Sequence, residues 1–311
     1  MDNLCHTLVG AAMGEGGLKR QTALAMPALL IGANLPDLDV LAYFWGSETA
    51  LGFRRGWTHG VPALVLWPFV LTGLLLAWDR WVRRRWRPDA EPAKPQALLR
   101  LSTLAILTHP FLDWLNTYGL RWLMPFDGTW FYGDTLFIAD PWIWLALSAG
   151  VVLSRLRRTF RPARWALAAV CAYIVLSWGL QLASRRVAAQ ALTAAGRPIQ
   201  RMMAGPVPVN PFRREIVSDA GEGYDLGTVD WLASPKFRGR KPLYVPRNDV
   251  LPGVAESAAT KEGAIFLDWA RFPFFEVEGR SVWITDARYN LERGEGFARL
   301  KVELVELPRP P

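Results

Sequence analysis

The chain is poor in the residues that build covalent frameworks and compact metal sites, with two cysteines and three histidines in 311 residues. Cys5 and Cys171 lie far apart in apolar, helix-like contexts, so neither a disulfide framework nor a thiolate metal site is expected. The opening residues Met1 to Leu4 lack the basic stretch of a signal peptide, so no cleaved leader is expected and insertion would rest on internal helices. Acidic residues are missing from two windows. Arg80, Arg83, Arg84, Arg85 and Arg87 fill the first, and Arg155, Arg157, Arg158, Arg161 and Arg164 the second. Apart from these arginines the remaining charges nearly cancel, so the net charge of +8 is local. It does not point to nucleic acid. It points to two short loops held on the cytoplasmic side of a membrane.

Apolar surface, by contrast, is plentiful: 51% of the residues are hydrophobic and 16 are Trp. Val61 to Trp78 and Trp165 to Ala183 contain no charged residue. Either stretch, as a helix, would be about 27 Å long, close to the hydrocarbon thickness of a bilayer. The expected fold is an α-helical polytopic membrane bundle of six segments, at 4–14 (short), 22–44, 61–78, 101–120, 135–153 and 165–183. After Arg186 the pattern changes. Residues 205–311 are rich in Pro and Gly, and Arg280 to Tyr289 and Phe297 to Leu307 alternate apolar with polar side chains. The chain therefore divides into a membrane-embedded helical domain at 1–186, a linker at 187–204 and an extracytoplasmic, mainly β domain at 205–311.

With both arginine windows and Lys19/Arg20 inside, the N-terminus and the C-terminal domain fall outside. Asp2, His6, Asp37, Asp39, His59, Asp113, Asp134 and Asp140 then collect toward the outer face. His109 lies nearer mid-membrane, where Pro110 would kink its helix. His109 and Asp113 are spaced i, i+4 and share a helix face, and Asp2 and His6 repeat that spacing. Imidazole nitrogen with carboxylate oxygen suits Zn, and also Mn or Fe. Charged groups within membrane segments are costly unless paired or hydrated, and a bound divalent metal would offset that cost. Each residue also has a plainer reading. A lone His is often a hydrogen-bonded core residue. Asp37 and Asp39 also suit a helix cap after Pro36, Asp140 a helix start before Pro141, and Asp2 a solvated terminus.

The motifs Asp2-x-x-x-His6-Thr7, Asn34-Leu-Pro-Asp37-Leu-Asp39, Arg55-Gly-Trp-Thr-His59 and His109-Pro-Phe-Leu-Asp113, continuing to Asn116-Thr-Tyr-Gly119, resemble the YdjM-type family. Phe137-Ile-Ala-Asp140-Pro141, Arg271-Phe-Pro273 and Thr285-Asp286 fit as well. That family is described as LexA-regulated, inner-membrane-associated and, by prediction, a set of metal-dependent hydrolases. Members often carry a second His before the Arg-Gly pair, where this chain has Arg54. The order His, Asp, His, His-x-x-x-Asp is also distantly similar to the zinc-dependent phospholipase C and P1-type nuclease group. That resemblance implies one metal held by Asp37 or Asp39, His59, His109 and Asp113, and a second held by Asp113 and His6, with Asp2 as a further candidate. The additional histidines of a third site have no counterpart. Asp140 is an added ligand or a partner of the ligands.

The function expected from this set is metal-dependent hydrolysis of a phosphoester or ester, on a lipid or lipid-linked substrate in the outer leaflet, with one or two Zn ions. The carboxylate of the Asp37/Asp39 pair not used as a ligand would serve as general base. The aromatic stretch Trp114 to Trp130 would line an entry or form an interfacial belt, the belt being the plainer reading. Two rivals stay open. One is an ion-coupled transporter with an intramembrane Asp/His relay, and the other a non-catalytic membrane scaffold with a structural metal.

Overall fold

The computed structural model describes residues 1–289 and 298–304, with the side chains of 241–243 left aside. Two compact units emerge, one of residues 1–41 and 53–178, the other of 42–52 and 179–311. The first is helical and the second mainly antiparallel β.

In the helical unit, α1 (Asn3–Glu15) starts at Asp2, whose carboxylate accepts from the backbone N–H groups of Leu4 and Cys5. Next comes α2 (Ala25–Gly32), followed at an angle of 44° by the tighter 3-10 stretch Leu35–Trp45. The short α3 (Ser47–Phe53), which belongs to the second unit up to Gly52, leads to α4 (Val61–Trp86), whose last turns pass through a π-type stretch at Asp79–Arg83. Both α5 (Pro95–Trp114) and α6 (Pro141–Leu156) open with Pro at the first helical position, where its missing N–H is not needed. The longest helix, α7 (Arg161–Ala194), carries the chain from one unit into the other.

Packing inside this unit joins α1 to α2 and α6, and α5 to α2 and α4. Small residues let the backbones approach closely. A Cβ on Gly10 would sit 2.7 Å from the Leu29 carbonyl oxygen, and one on Gly32 would sit 2.9 Å from the Ala105 methyl. The core between these helices gathers Cys5, Leu29, Leu71, Leu98, Leu101 and Ile106.

Two helices, Val61–Trp86 and Arg161–Ala194, are long and apolar enough to cross a membrane, and a third span is possible if Ala25–Gly32 and Leu35–Trp45 count as one. The expected six segments are not supported. With 13 residues, α1 is too short, and α6 with 16 residues reaches about 24 Å. Although α5 has 20 residues, it includes Arg100, His109 and Asp113 among them. The stretch 187–204, expected as a linker, contains the end of α7 and the start of β1.

The β unit is a four-stranded antiparallel meander of β1 (Arg201–Pro206), β2 (Arg213–Asp219), β3 (Gly223–Asp230) and β4 (Ser234–Pro246), and a three-stranded one of β5 (Pro273–Glu278), β6 (Ser281–Asp286) and β7 (Arg299–Glu303). Two short helices, α8 (Val254–Ala259) and α9 (Lys261–Trp269), lie between them in sequence. Met203, Val217, Tyr224 and Leu226 share a core with Phe272 and Phe274, and the Tyr224 hydroxyl donates to the Pro273 carbonyl at 2.6 Å. Both expected strand regions are strands, as β6 and β7; Phe297 and Val305 to Leu307 lie outside the described residues.

Candidate metal centre

The site is assembled from three parts of the helical unit. The 3-10 stretch after α2 supplies Asp37 and Asp39, the turn before α4 supplies Thr58 and His59, and α5 supplies His109 and Asp113. All four of Asp37, His59, His109 and Asp113 are buried, and one donor atom from each lies within 4.8 Å of the others. His59 Nε2 stands 3.1 Å from His109 Nε2 and 3.4 Å from Asp113 Oδ2. His109 Nε2 stands 3.5 Å from that same carboxylate oxygen and 3.7 Å from Asp37 Oδ1.

Hydrogen bonding sets the tautomers. His109 Nδ1 is 2.7 Å from the Ala33 carbonyl, which only accepts, so Nδ1 carries a proton and Nε2 is the nitrogen turned to the centre. Thr58 Oγ1 donates to Asp39 Oδ2 at 3.1 Å and therefore accepts from His59 Nδ1 at 2.9 Å. His59 Nε2 is then a lone pair. Burial, the largest influence on His59, lowers its pKa below the usual histidine value, which favours that neutral form. The two Nε2 atoms face each other at 3.1 Å beside a carboxylate, a contact that needs a cation between them, either a proton on His109 or a metal ion. Asp37 Oδ1 and Asp113 Oδ2 are buried and accept no hydrogen bond. A tetrahedral ion with bonds of about 2.0–2.1 Å needs donor atoms about 3.3 Å apart. The separations of 3.1–3.7 Å among these donors lie near that value, and their nitrogen and oxygen chemistry suits Zn, Mn or Fe.

His6 lies next to this group. Its ring stacks on His109 with centroids 3.8 Å apart, and its Nε2 is 3.3 Å from Asp113 Oδ1, the oxygen turned from the four-donor set. The Met1 amino group also donates to that oxygen. Asp39 stands behind the ligands, accepting at Oδ2 from the Arg55 backbone N–H at 2.7 Å. The other two candidates have capping roles. Asp2 caps α1 and accepts from Trp144 Nε1 at 3.1 Å. Asp140 caps α6 and accepts from the Tyr173 hydroxyl at 2.8 Å. Neither belongs to the converging donors.

Arg55 is a part of the site that motif reading did not assign. Its Nε lies 3.2 Å from Asp113 Oδ2, and its guanidinium also donates to Asn116 Oδ1 at 3.2 Å and packs 4.6 Å from the Tyr118 ring centre. Asn116 Oδ1 accepts from the Tyr118 N–H as well, and Gly119 adopts φ +86°, so Asn116 to Gly119 form a turn that cradles Arg55. Arg54 reaches Asp39 Oδ1 at 3.4 Å and Asp37 Oδ1 at 3.8 Å.

A family model for the YdjM inner membrane protein matches residues 1–184, the stretch that holds every residue of this site. The chain belongs to that family. It is also similar to "Uncharacterized protein YfhP" of Bacillus subtilis (strain 168), with 25% identity over 161 residues, 49% of this chain and 46% of that protein. The chain thus spans about half the length of the curated relative it matches. No solved structure matches it. YdjM membership and the two candidate spans agree on an inner membrane protein, and the β unit lies almost wholly beyond the family match.

Proposed function

We propose that this chain is a membrane-bound, metal-dependent hydrolase acting on a phosphoester or ester of a lipid or lipid-linked substrate. The observation that carries the reading is the convergence of Asp37, His59, His109 and Asp113, with two imidazole Nε2 atoms facing one another. A divalent metal, Zn by preference, would supply Lewis acidity there and make water a nucleophile near neutral pH. Asp37 directs Oδ1 to the centre, leaving Oδ2 to accept a proton from the attacking water. Asp39 has Oδ2 committed to Arg55 and Thr58, so we read it as a positioning residue. Arg55 orients Asp113. His6, on the far oxygen of Asp113, offers a further donor to a second ion. The membrane location favours a lipid-derived substrate over a soluble one.

The sidedness belongs to the same proposal. The arginines lie at the C-terminal end of α4 and the N-terminal end of α7, so if both helices span, both clusters fall on one side, the cytoplasmic one. His59, which precedes α4, then lies at the extracytoplasmic end.

The test is metal analysis of the detergent-purified protein by mass spectrometry, alongside hydrolysis of chromogenic phosphoester and acyl ester substrates. One or two divalent ions per chain are expected, lost with activity in His109→Ala and Asp113→Ala and on chelation. A wild-type protein that stays metal-free after incubation with Zn, Mn and Fe would overturn the reading. So would a loaded protein that hydrolyses neither substrate class nor phospholipid.

A further inference from the structure

Away from the metal centre, the helical unit holds a half-open cavity of about 250 Å³ between the end of α1 and the turn joining α6 to α7. Four basic side chains, Lys19, Arg20, Arg155 and Arg158, line it against a single carboxylate, Glu15. That carboxylate is buried and already engaged, taking Lys19 Nζ on one oxygen and Arg155 Nε, at 2.9 Å, on the other. Arg20 and Arg158 make no ion pair among the described residues. The Arg20 guanidinium lies 5.5 Å from the centre of the Phe160 ring, which also packs against Arg164 at 4.4 Å. All four basic side chains reach solvent, and together they give the hollow a positive potential that attracts an anion.

Position indicates which anion. The cavity adjoins the first turn of α7, one of the two candidate spans, and that turn therefore stands at a membrane–water boundary. Trp165 is 73% exposed there and, with Arg161 and Arg164, lines a neighbouring open hollow. An exposed Trp at the end of a span is a side chain at headgroup level.

We propose that this cavity binds the phosphate of an anionic phospholipid headgroup, with Arg20 and Arg158 as its unpaired cations and Glu15 holding Lys19 and Arg155 in place beside them. The plainer reading, that these arginines serve only to orient the helices, predicts no saturable site. The proposal does not depend on the metal centre.

Delipidated full-length protein in detergent would be titrated with phosphatidylglycerol, phosphatidylcholine and inorganic phosphate and followed by native mass spectrometry. One phosphatidylglycerol per chain should saturate the site, about tenfold or more tighter than phosphatidylcholine. Arg20→Gln with Arg158→Gln should lower that affinity about tenfold and leave metal content unchanged. Arg84→Gln with Arg85→Gln removes equal charge from the other arginine window and should leave lipid binding unchanged. Equal binding of the two lipids, or equal losses in the two double variants, would overturn the site. Inorganic phosphate that displaces the lipid at low millimolar concentration would show a small-anion site and overturn the lipid assignment.

Discussion

Three carboxylates surround the metal centre, and their surroundings separate their work. Asp113 offers Oδ2 to both histidines and Oδ1 to His6, so it links the two halves of the site. Asp39 instead holds Thr58, and through it the tautomer of His59. Substitution should separate the two roles. His59→Ala removes a donor and should abolish stoichiometric metal binding. Asp39→Asn leaves all four donors and should weaken metal affinity about 10–100-fold, the usual effect of losing a partner of a ligand. Equal losses in competitive chelator titrations would count against this division. Asp140 gives the opposite test. As the cap of α6, its change to Ala should cost about 0.5–2 kcal/mol in thermal or denaturant unfolding with metal content unchanged. Loss of metal from Asp140→Ala would return it to the ligands. The sequence alone pointed to His59, His109 and Asp113 because histidine is so scarce and because i, i+4 spacing fixes a shared face, but it ranked His6 with them, which stands beside the four donors that converge. It could not sort Asp37 from Asp39, since residues two apart in a 3-10 stretch point to different sides and the direction depends on the bend after α2. Arg55 escaped for another reason. In an arginine-rich chain, a buried structural arginine has no compositional signature.

Among the elements, α1 places His6 only because it lies close against α2. Gly10 touches the Leu29 carbonyl at a distance that admits no side chain. Gly10→Leu should therefore push α1 outward, separate His6 from Asp113 and lower the melting temperature. Overpacking of this kind typically costs about 1–3 kcal/mol. If His6 serves a second ion, the metal-to-protein ratio should fall toward one; if the chain holds a single ion, the ratio should stay at one while stability falls. An unchanged melting temperature would contradict the close packing. The long apolar helices α4 and α7 were readable because charge-free runs of that length have few other uses. By contrast the segments at 4–14, expected to be short, and 135–153 share that apolar content, but apolar composition does not distinguish a spanning helix from one buried among others. Length does: α1 and α6 fall short, and α2 reaches span length only together with Leu35–Trp45. The β strands were legible from alternation, whereas the meander order depends on turns that alternation does not specify.

For the whole molecule, the proposed sidedness can be tested. In that proposal the charge rule sets the arginine-bearing ends of α4 and α7 in the cytoplasm, and the β unit, which follows α7 in sequence, lies on the opposite side. Val250 is 90% exposed on that unit. Val250→Cys, in a Cys171→Ser background, should react with a membrane-impermeant maleimide in intact spheroplasts, and Arg84→Cys only after lysis. Asn3→Cys then decides between span numbers. With α4 and α7 alone, residues 1–60 stay outside and Asn3→Cys is labelled in intact cells. If Ala25–Gly32 and Leu35–Trp45 also cross as one bent span, the N-terminal residues are inside and labelling requires lysis. Labelling of Arg84→Cys in intact cells, or protection of Val250→Cys, would reverse the orientation and place the metal centre at the cytoplasmic end, with a substrate drawn from the inner leaflet.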